Sequence, residues 1–359
     1  MRILWYNWMD IKNPEAGGAE VFTHEVAKRL VKKGHPVTLF VRSFIGAKPR
    51  DNIDGIEIIR AGGKYSVYDY AKKYYNREFR GNVDLVIDEI NTKPFMTIKF
   101  AEEQVIAVIH QLAREFWFYE TPFPMSYIGY YFLEDRWLRS YTDVPVVTVS
   151  DSTKRDLEDL GLKRIFVVHN GLNVEPVVEV PEKSERPSIV FVGRMKRAKR
   201  PGDVVEAFRI VREKIGDAEL WMVGDGYLRR RLESRAGSHV KFFGYVDSET
   251  RDELVRRAWV VAVPGVREGW GQVVTDANAL GTPTVGYDVP GLRDSIRDGF
   301  NGLLVESGPE ALADGMMRVL SDDWLRDDLS RNAIEWAGRF SWEKTAEEFL
   351  NVVEKVSLG

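Results

Sequence analysis

Glu268 and Asp276 are two carboxylates eight positions apart in the run Glu268-Gly-Trp-Gly-Gln-Val-Val-Thr-Asp276, which continues into Ala-Asn-Ala-Leu-Gly-Thr-Pro-Thr-Val285. At that spacing both cannot stand at a helix start: one precedes the helix and the other lies roughly two turns in. Such a pair can touch opposite ends of one extended ligand. Between them fall the backbone N–H groups of Gly271 and Gln272, where the positive end of a helix suits a phosphate. For the carboxylates alone, an acidic first turn plus a solvated Asp explains the pattern equally well.

Two further stretches bear on phosphate. Val192-Gly193-Arg194-Met-Lys-Arg-Ala-Lys199 follows an apolar run and leads into Arg200, placing five cations within seven residues. Lys196, Arg197 and Arg200 read as a solvated basic loop. Gly17-Gly18-Ala19-Glu20 opens a helix after the first apolar run, and glycines there let backbone approach a ligand. Many α/β turns need glycine only for sterics, and no G-x-G-x-x-G dinucleotide fingerprint occurs. His110 ends the run Val105–Ile109. The other histidines are His24, His35, His169 and His239, none at metal-ligand spacing, so no metal site is expected.

The elements that must position these residues alternate. Ile3-Leu4-Trp5, Val37–Val41, Leu85–Ile87, Val105–Ile109, Val146–Val149 and Ile165–Val168 read as strands in the first half. Phe22, Val26 and Leu30, spaced by four, mark a helix ending at Gly34. Residues 175–188 carry three prolines and several charges and read as a linker. The pattern restarts with Ile189–Val192, Leu220–Val223, Val240–Phe243, Val260–Val263, Thr284-Val285 and Leu303–Val305. Alternation of this kind predicts two α/β domains, each a doubly wound, Rossmann-like parallel sheet. Functional loops then lie at the carboxyl ends of the strands, with the ligand in the cleft between the domains. The expected division is 1–174, a linker at 175–188, 189–339, and a helix at 340–359. Ser341 is its expected N-cap, without a full capping box because Lys344 holds the reciprocal position.

Composition excludes several classes. The 359 residues are 44% hydrophobic and 30% charged with net charge −4, a globular chain with nothing favouring nucleic acid. No apolar run reaches the ~18 residues needed to span a bilayer. The N-terminus turns polar too early for a secretory signal, so a cytoplasmic location is expected. Absence of cysteine excludes disulfides and thiol catalysis.

Together, in this order, Glu268–Val285 and Arg194–Lys199 resemble the signatures of retaining glycosyltransferases of family 4, which use nucleotide-sugar donors on a GT-B fold. The resemblance implies that Arg194 and Lys199 hold the donor diphosphate and neutralise its charge as it leaves. Gly271, Gln272 and Val273 would meet the donor with backbone, and Glu268 would hold sugar hydroxyls. Asp276 stands where relatives have Glu and would take the ribose hydroxyls, one methylene shorter. Pro290-Gly-Leu-Arg-Asp294 departs from the usual glycine pair followed by Glu. Gly244-Tyr245-Val246 would pair with the nucleobase, Gly17 and Gly18 would approach phosphate, and His110 would sit near the donor sugar. In relatives the last helix crosses back onto the first domain.

The implied activity is metal-independent transfer, with retention, of a hexose or N-acetylhexosamine, UDP-sugar before GDP-mannose, to a glycan or lipid-linked acceptor. The nucleotide sugar is a co-substrate and no cofactor is implied. No second carboxylate suggests itself as a covalent nucleophile, so same-face attack is expected, a phosphate oxygen taking the acceptor's proton. A nucleotide-sugar epimerase and a non-catalytic nucleotide-binding protein are the alternatives. Residues 115–141 hold eleven aromatics, and Lys64–Arg80 is basic and tyrosine-rich. Some must be core. The rest leave open an acceptor groove or a peripheral contact with the inner membrane face.

Overall fold

Each of those apolar runs forms a strand, and the strands sort into two sheets. The computed structural model describes residues 1–357. By internal contacts the chain divides into two units. The first comprises Met1–Arg114, Phe123–Gly171 and the residues from Ser341 on; the second comprises Glu115–Pro122 and Leu172–Phe340.

The first unit is built on β1 (Ile3–Tyr6), β2 (Val37–Val41), β3 (Arg50–Ile53), β4 (Ile56–Arg60), β5 (Leu85–Glu89), β6 (Gln104–Val108), β7 (Val146–Thr148) and β8 (Ile165–Val167), in the order β3-β4-β2-β1-β5-β6-β7-β8. β1 and β5 are buried along their whole length, as parallel strands covered on both faces must be. The sheet is not wholly parallel. β3 and β4 form an antiparallel edge hairpin through Asp54 and Gly55, whose φ values of 52° and 86° are those of a two-residue primed turn. The Asp-Gly dipeptide carried that signal in the sequence, but β3 is too polar to register as an apolar run.

The helix Trp342–Ser357 belongs to this unit; the last two residues of the helix expected at 340–359 lie outside the described residues. Ser341 Oγ accepts from Lys344 N at 3.2 Å and so caps it. Its apolar face lays Phe349 on Trp5, ring centroids 5.1 Å apart and 11° from parallel, and Phe22 lies edge-on to both Trp342 and Phe349. Arg29 pairs with Glu343 on the rim.

The second unit carries β9 (Ser188–Val192), β10 (Glu219–Val223), β11 (Val240–Gly244), β12 (Val260–Val263), β13 (Thr284–Tyr287) and β14 (Gly302–Val305), all parallel, in the order β11-β10-β9-β12-β13-β14. The chain winds one way from β9 to β11 and the other way from β12 to β14. The topological switch therefore lies between β9 and β12, where a doubly wound sheet leaves a crevice beyond its strand ends. Residues 175–188, read as a linker, are fastened along this unit. Val177 N donates to Ala279 O and Ser184 N to Arg257 O, both at 2.8 Å. Lys183 Nζ donates to Arg256 O, Gly281 O and Thr282 Oγ1 at 2.9 Å, and burial pushes its ammonium down to about 7.

Candidate functional site

At the switch of the second sheet, the loops after β9 and β12 meet. Val266 N donates to Ala198 O at 3.0 Å, holding the basic loop against the one that carries Glu268. Lys199 Nζ then lies 2.5 Å from Glu268 Oε1. The Glu268 side chain is 15% exposed and the Lys199 side chain 31%, so the pair opens to solvent from the ammonium side. Arg194 is exposed on the same loop.

Glycine seats this acid twice. Glu268 N donates to Pro290 O at 3.0 Å, and Gly291 comes so close that a Cβ there would stand 2.0 Å from Glu268 O, at a φ of 84° that already favours glycine. The Pro-Gly at 290–291 is thus a backbone clamp on the acid. Gly271 turns the chain at φ 79°, ψ 52°, and a Cβ on it would lie 2.7 Å from Ser295 Oγ. That left-handed residue lets the helix Gln272–Ala279 begin four residues after Glu268, with the amides of Gln272 and Val273 at its head.

Asp276, one turn further, is half-buried and already engaged. It accepts from Asn173 N at 2.9 Å, Asn173 Nδ2 at 3.1 Å and Gln272 Nε2 at 2.9 Å. Lost hydration pushes its carboxyl up to about 6, against those bonds and the charge of Arg251. Of roughly four acceptor positions on a carboxylate, three are taken. Gly244 ends the edge strand β11, its carbonyl accepting from Gly224 N at 2.8 Å, and leaves Tyr245 89% exposed beside Val246.

Arg200 departs from the solvated role the sequence suggested. Its Nε donates to Asp203 Oδ2 at 2.7 Å and its guanidinium lies over Tyr287, so it fastens the start of the helix Pro201–Lys214. Segment Glu115–Pro122 also packs on this unit. Glu120 Oε1 accepts from Ala198 N at 3.0 Å, and Glu115 pairs with the buried Arg267 at 2.8 Å.

The first unit has its own strand-end cluster, where β1, β5 and β6 finish side by side. His110, 8% exposed, sets Nε2 3.0 Å from Oε1 of Glu89, which is 1% exposed. Glu89 Oε2 receives Trp5 Nε1 at 2.8 Å and also contacts Thr23 Oγ1. Gly17 N donates to Glu20 Oε2 at 2.7 Å, and burial raises the Glu20 carboxyl. A Cβ on Gly18 would meet nothing within 4 Å, so crowding inside the chain does not explain that glycine.

Two family models meet end to end on the chain. "Glycosyltransferase Family 4" matches residues 16–176, and "Glycosyl transferases group 1" matches 177–336. The chain belongs to glycosyltransferase family 4.

Relatives of this family 4 chain include a phosphatidyl-myo-inositol mannosyltransferase of Mycobacterium leprae, 32% identical over 59% of this chain and 59% of that one. A D-inositol 3-phosphate glycosyltransferase of Corynebacterium urealyticum is 26% identical over 94% and 90%. The chain spans about three fifths of the length of the first curated relatives it matches. Among solved structures, a sucrose-phosphate synthase from Thermosynechococcus elongatus superposes with TM-score 0.80 at 20% identity, covering 99% of this chain and 98% of that one. The fold is GT-B.

Within this family 4 chain, the structure brings Lys199, Glu268, Gly271, Gln272 and Val273 to one strand-end crevice of the second unit, with Arg194 on its basic loop. It places Gly17, Gly18 and His110 at strand ends of the first. Sequence reasoning missed Glu89, Thr23, Asn173, Glu115 and Glu120. The acid pair Asp88-Glu89 directly after the apolar run Leu85–Ile87 was a usable signal for Glu89. The others rest on contacts between residues distant in the chain and left none.

Proposed function

We propose that this family 4 chain is a retaining, metal-independent glycosyltransferase that moves a hexose or N-acetylhexosamine from a nucleoside-diphosphate sugar to a glycan or lipid-linked acceptor. UDP-sugar is the first candidate donor and GDP-mannose the second. The observation that carries this reading is the Lys199–Glu268 pair at the sheet's switch point, the acid four residues before a helix start made possible by Gly271.

The chemistry follows from charge. A departing diphosphate gains negative charge, and Arg194, Lys199 and the helix-head amides of Gln272 and Val273 are donors suited to it. Counter-charge from an ammonium and a guanidinium supports the metal-independent form of the reaction. Glu268, set beside that ammonium, would hold sugar hydroxyls and favour an oxocarbenium-like transition state. The acceptor hydroxyl attacks the face the diphosphate leaves, and a phosphate oxygen takes its proton, so the anomeric configuration is kept. Asp276 would take ribose hydroxyls and the Gly244–Val246 loop the base. The nucleotide sugar is the co-substrate, and no resident cofactor is proposed.

For the acceptor, the first unit exposes Phe123, Met125, Tyr127, Ile128, Tyr131 and Phe132 within ten residues, followed by exposed Arg136 and Arg139. Aromatic and cationic groups so mixed suit a sugar-bearing lipid at an anionic surface. A cytoplasmic chain held peripherally at the inner membrane face fits this pattern. Among the described residues no helix is long and apolar enough to cross a membrane. The names of relatives, one acting on phosphatidyl-inositol and one on inositol phosphate, fit an acceptor of polyol or lipid-linked type.

The test is calorimetry and thermal shift with UDP, GDP and their glucose, N-acetylglucosamine and mannose conjugates, without added metal. One nucleotide series should stabilise the chain, and Arg194→Ala should abolish the effect. No response to any of them would end this reading. Donor turnover yielding an altered nucleotide sugar but no glycoside would identify an epimerase instead.

A further inference from the structure

Glu89 has no part in the reaction described above, yet its carboxylate is buried against His110. It closes β5, between β1 and β6, and its side chain is 0% exposed. Trp5 Nε1, which can only donate, reaches Oε2 at 2.8 Å. Thr23 Oγ1 shares that oxygen and itself receives Asn7 Nδ2 at 3.0 Å, while Asn7 Oδ1 receives Asn91 Nδ2 at 2.9 Å. Oε1 faces His110 Nε2 at 3.0 Å. Phe22 stands edge-on to the imidazole, ring centroids 5.0 Å apart, and Thr153 Oγ1 donates to the His110 backbone carbonyl at 3.1 Å.

We infer that Glu89 is a positioning residue that fixes His110 in the Nε2–H tautomer, so that Nδ1 is the ring's hydrogen-bond acceptor and takes a hydroxyl of the transferred sugar. In water a carboxylic acid is stronger than an imidazolium by about two pH units, so a proton shared between them sits on nitrogen. An ionised carboxylate accepts only, which leaves Nε2 as the donor. A histidine that accepts selects a ligand that offers a hydroxyl, and rejects one whose hydroxyl is removed or capped. The role as sugar ligand rests on the function proposed above; the tautomer does not.

Glu89→Gln separates the two. Gln has one oxygen, and Trp5 claims it because an indole N–H has no other use. The amide NH₂ then faces His110 and requires Nε2 to accept, which forces the Nδ1–H tautomer. Nitrogen NMR of labelled protein at about pH 8.5, above the ordinary histidine pKa, distinguishes protonated from bare ring nitrogens, with His110→Asn assigning the signal. The expected result is Nε2–H in the parent chain and in Glu89→Asp, and Nδ1–H in Glu89→Gln. With the donor found by calorimetry, Glu89→Gln should lower kcat by about 10- to 100-fold, as when the partner behind a working histidine is lost, with a smaller change in KM. Glu89→Asp should recover most of it. Nδ1–H in the parent chain would overturn the inference even if no variant folds, as would unchanged kcat in a Glu89→Gln chain with switched tautomer. If the tautomers behave as stated but no nucleotide sugar is turned over, the glycosyltransferase reading fails instead.

Discussion

Both units end parallel strands in a cluster of charged groups, but the clusters are built in opposite ways. In the first, Glu89 is fully enclosed: indole, hydroxyl and imidazole all converge on one carboxylate. In the second, Glu268 meets a single ammonium, and cations outnumber it along the neighbouring loop. An enclosed acid with three protein partners holds its neighbours still and gains nothing by binding a further anion. A half-open acid beside surplus positive charge is poised to exchange partners when an anion arrives. The surroundings separate the two centres more sharply than residue type does, since both are glutamates.

The strongest way to break this comparison is to remove each acid. Glu268→Ala should lower kcat by about 100- to 1,000-fold, the scale of losing one transition-state contact, while the nucleotide dissociation constant moves by less than about threefold. Equal loss of both, read by calorimetry beside steady-state rates, would contradict the assigned role. Glu89→Ala should cost stability as well as kcat. Orphaning buried donors costs about 1–3 kcal/mol each, so its denaturant midpoint should fall well below that of Glu268→Ala. Equal midpoints would erase the distinction.

Arg194→Ala should weaken nucleoside-diphosphate binding by about 10- to 100-fold, from charge-assisted hydrogen bonds worth about 1.5–3 kcal/mol, and should leave nucleoside binding nearly unchanged. Calorimetry with both ligands checks this. A parallel loss for the nucleoside would mean the loop had moved.

The smallest effect concerns Asp276 and pH. Its folded carboxyl is raised to about 6. Its favourable contribution to stability is therefore fully present below the ordinary carboxyl range near 4, and is lost as pH rises through about 6. Ribose hydroxyls need the ionised form as acceptor, so nucleotide affinity should fall several-fold as pH drops from about 7 to 5. Asp276→Asn should bind more weakly at neutral pH and show a flat profile over that range. A sloped profile in the variant would assign the titration elsewhere.

Much of the fold was legible because the strands of helix-covered parallel sheets are mostly apolar, and twelve apolar runs announced twelve strands. The hairpin Arg50–Arg60 was not, since its edge strand alternates exposed and half-buried polar residues. The Glu268–Asp276 stretch was legible in outline, since one acid precedes the helix and the other lies within it, but Asp276 stands about one turn in rather than two because the helix starts only at Gln272. Arg200 was misread as solvated because its partners, Asp203 and the Tyr287 ring, become neighbours only once the helix and β13 are packed.

What the sequence determined by itself was local and periodic: the alternation of strands and helices, a helix start between Glu268 and Asp276, and the clustering of cations after β9. Periodicity and backbone sterics act within a few residues, so they can be read without the fold. Tertiary structure alone decided which charges meet. Lys199 reaches Glu268 across 69 positions, His110 reaches Glu89 across 21, and Asn173 reaches Asp276 across 103. Coulombic and hydrogen-bond partners are chosen by distance in space, and strand order sets that distance.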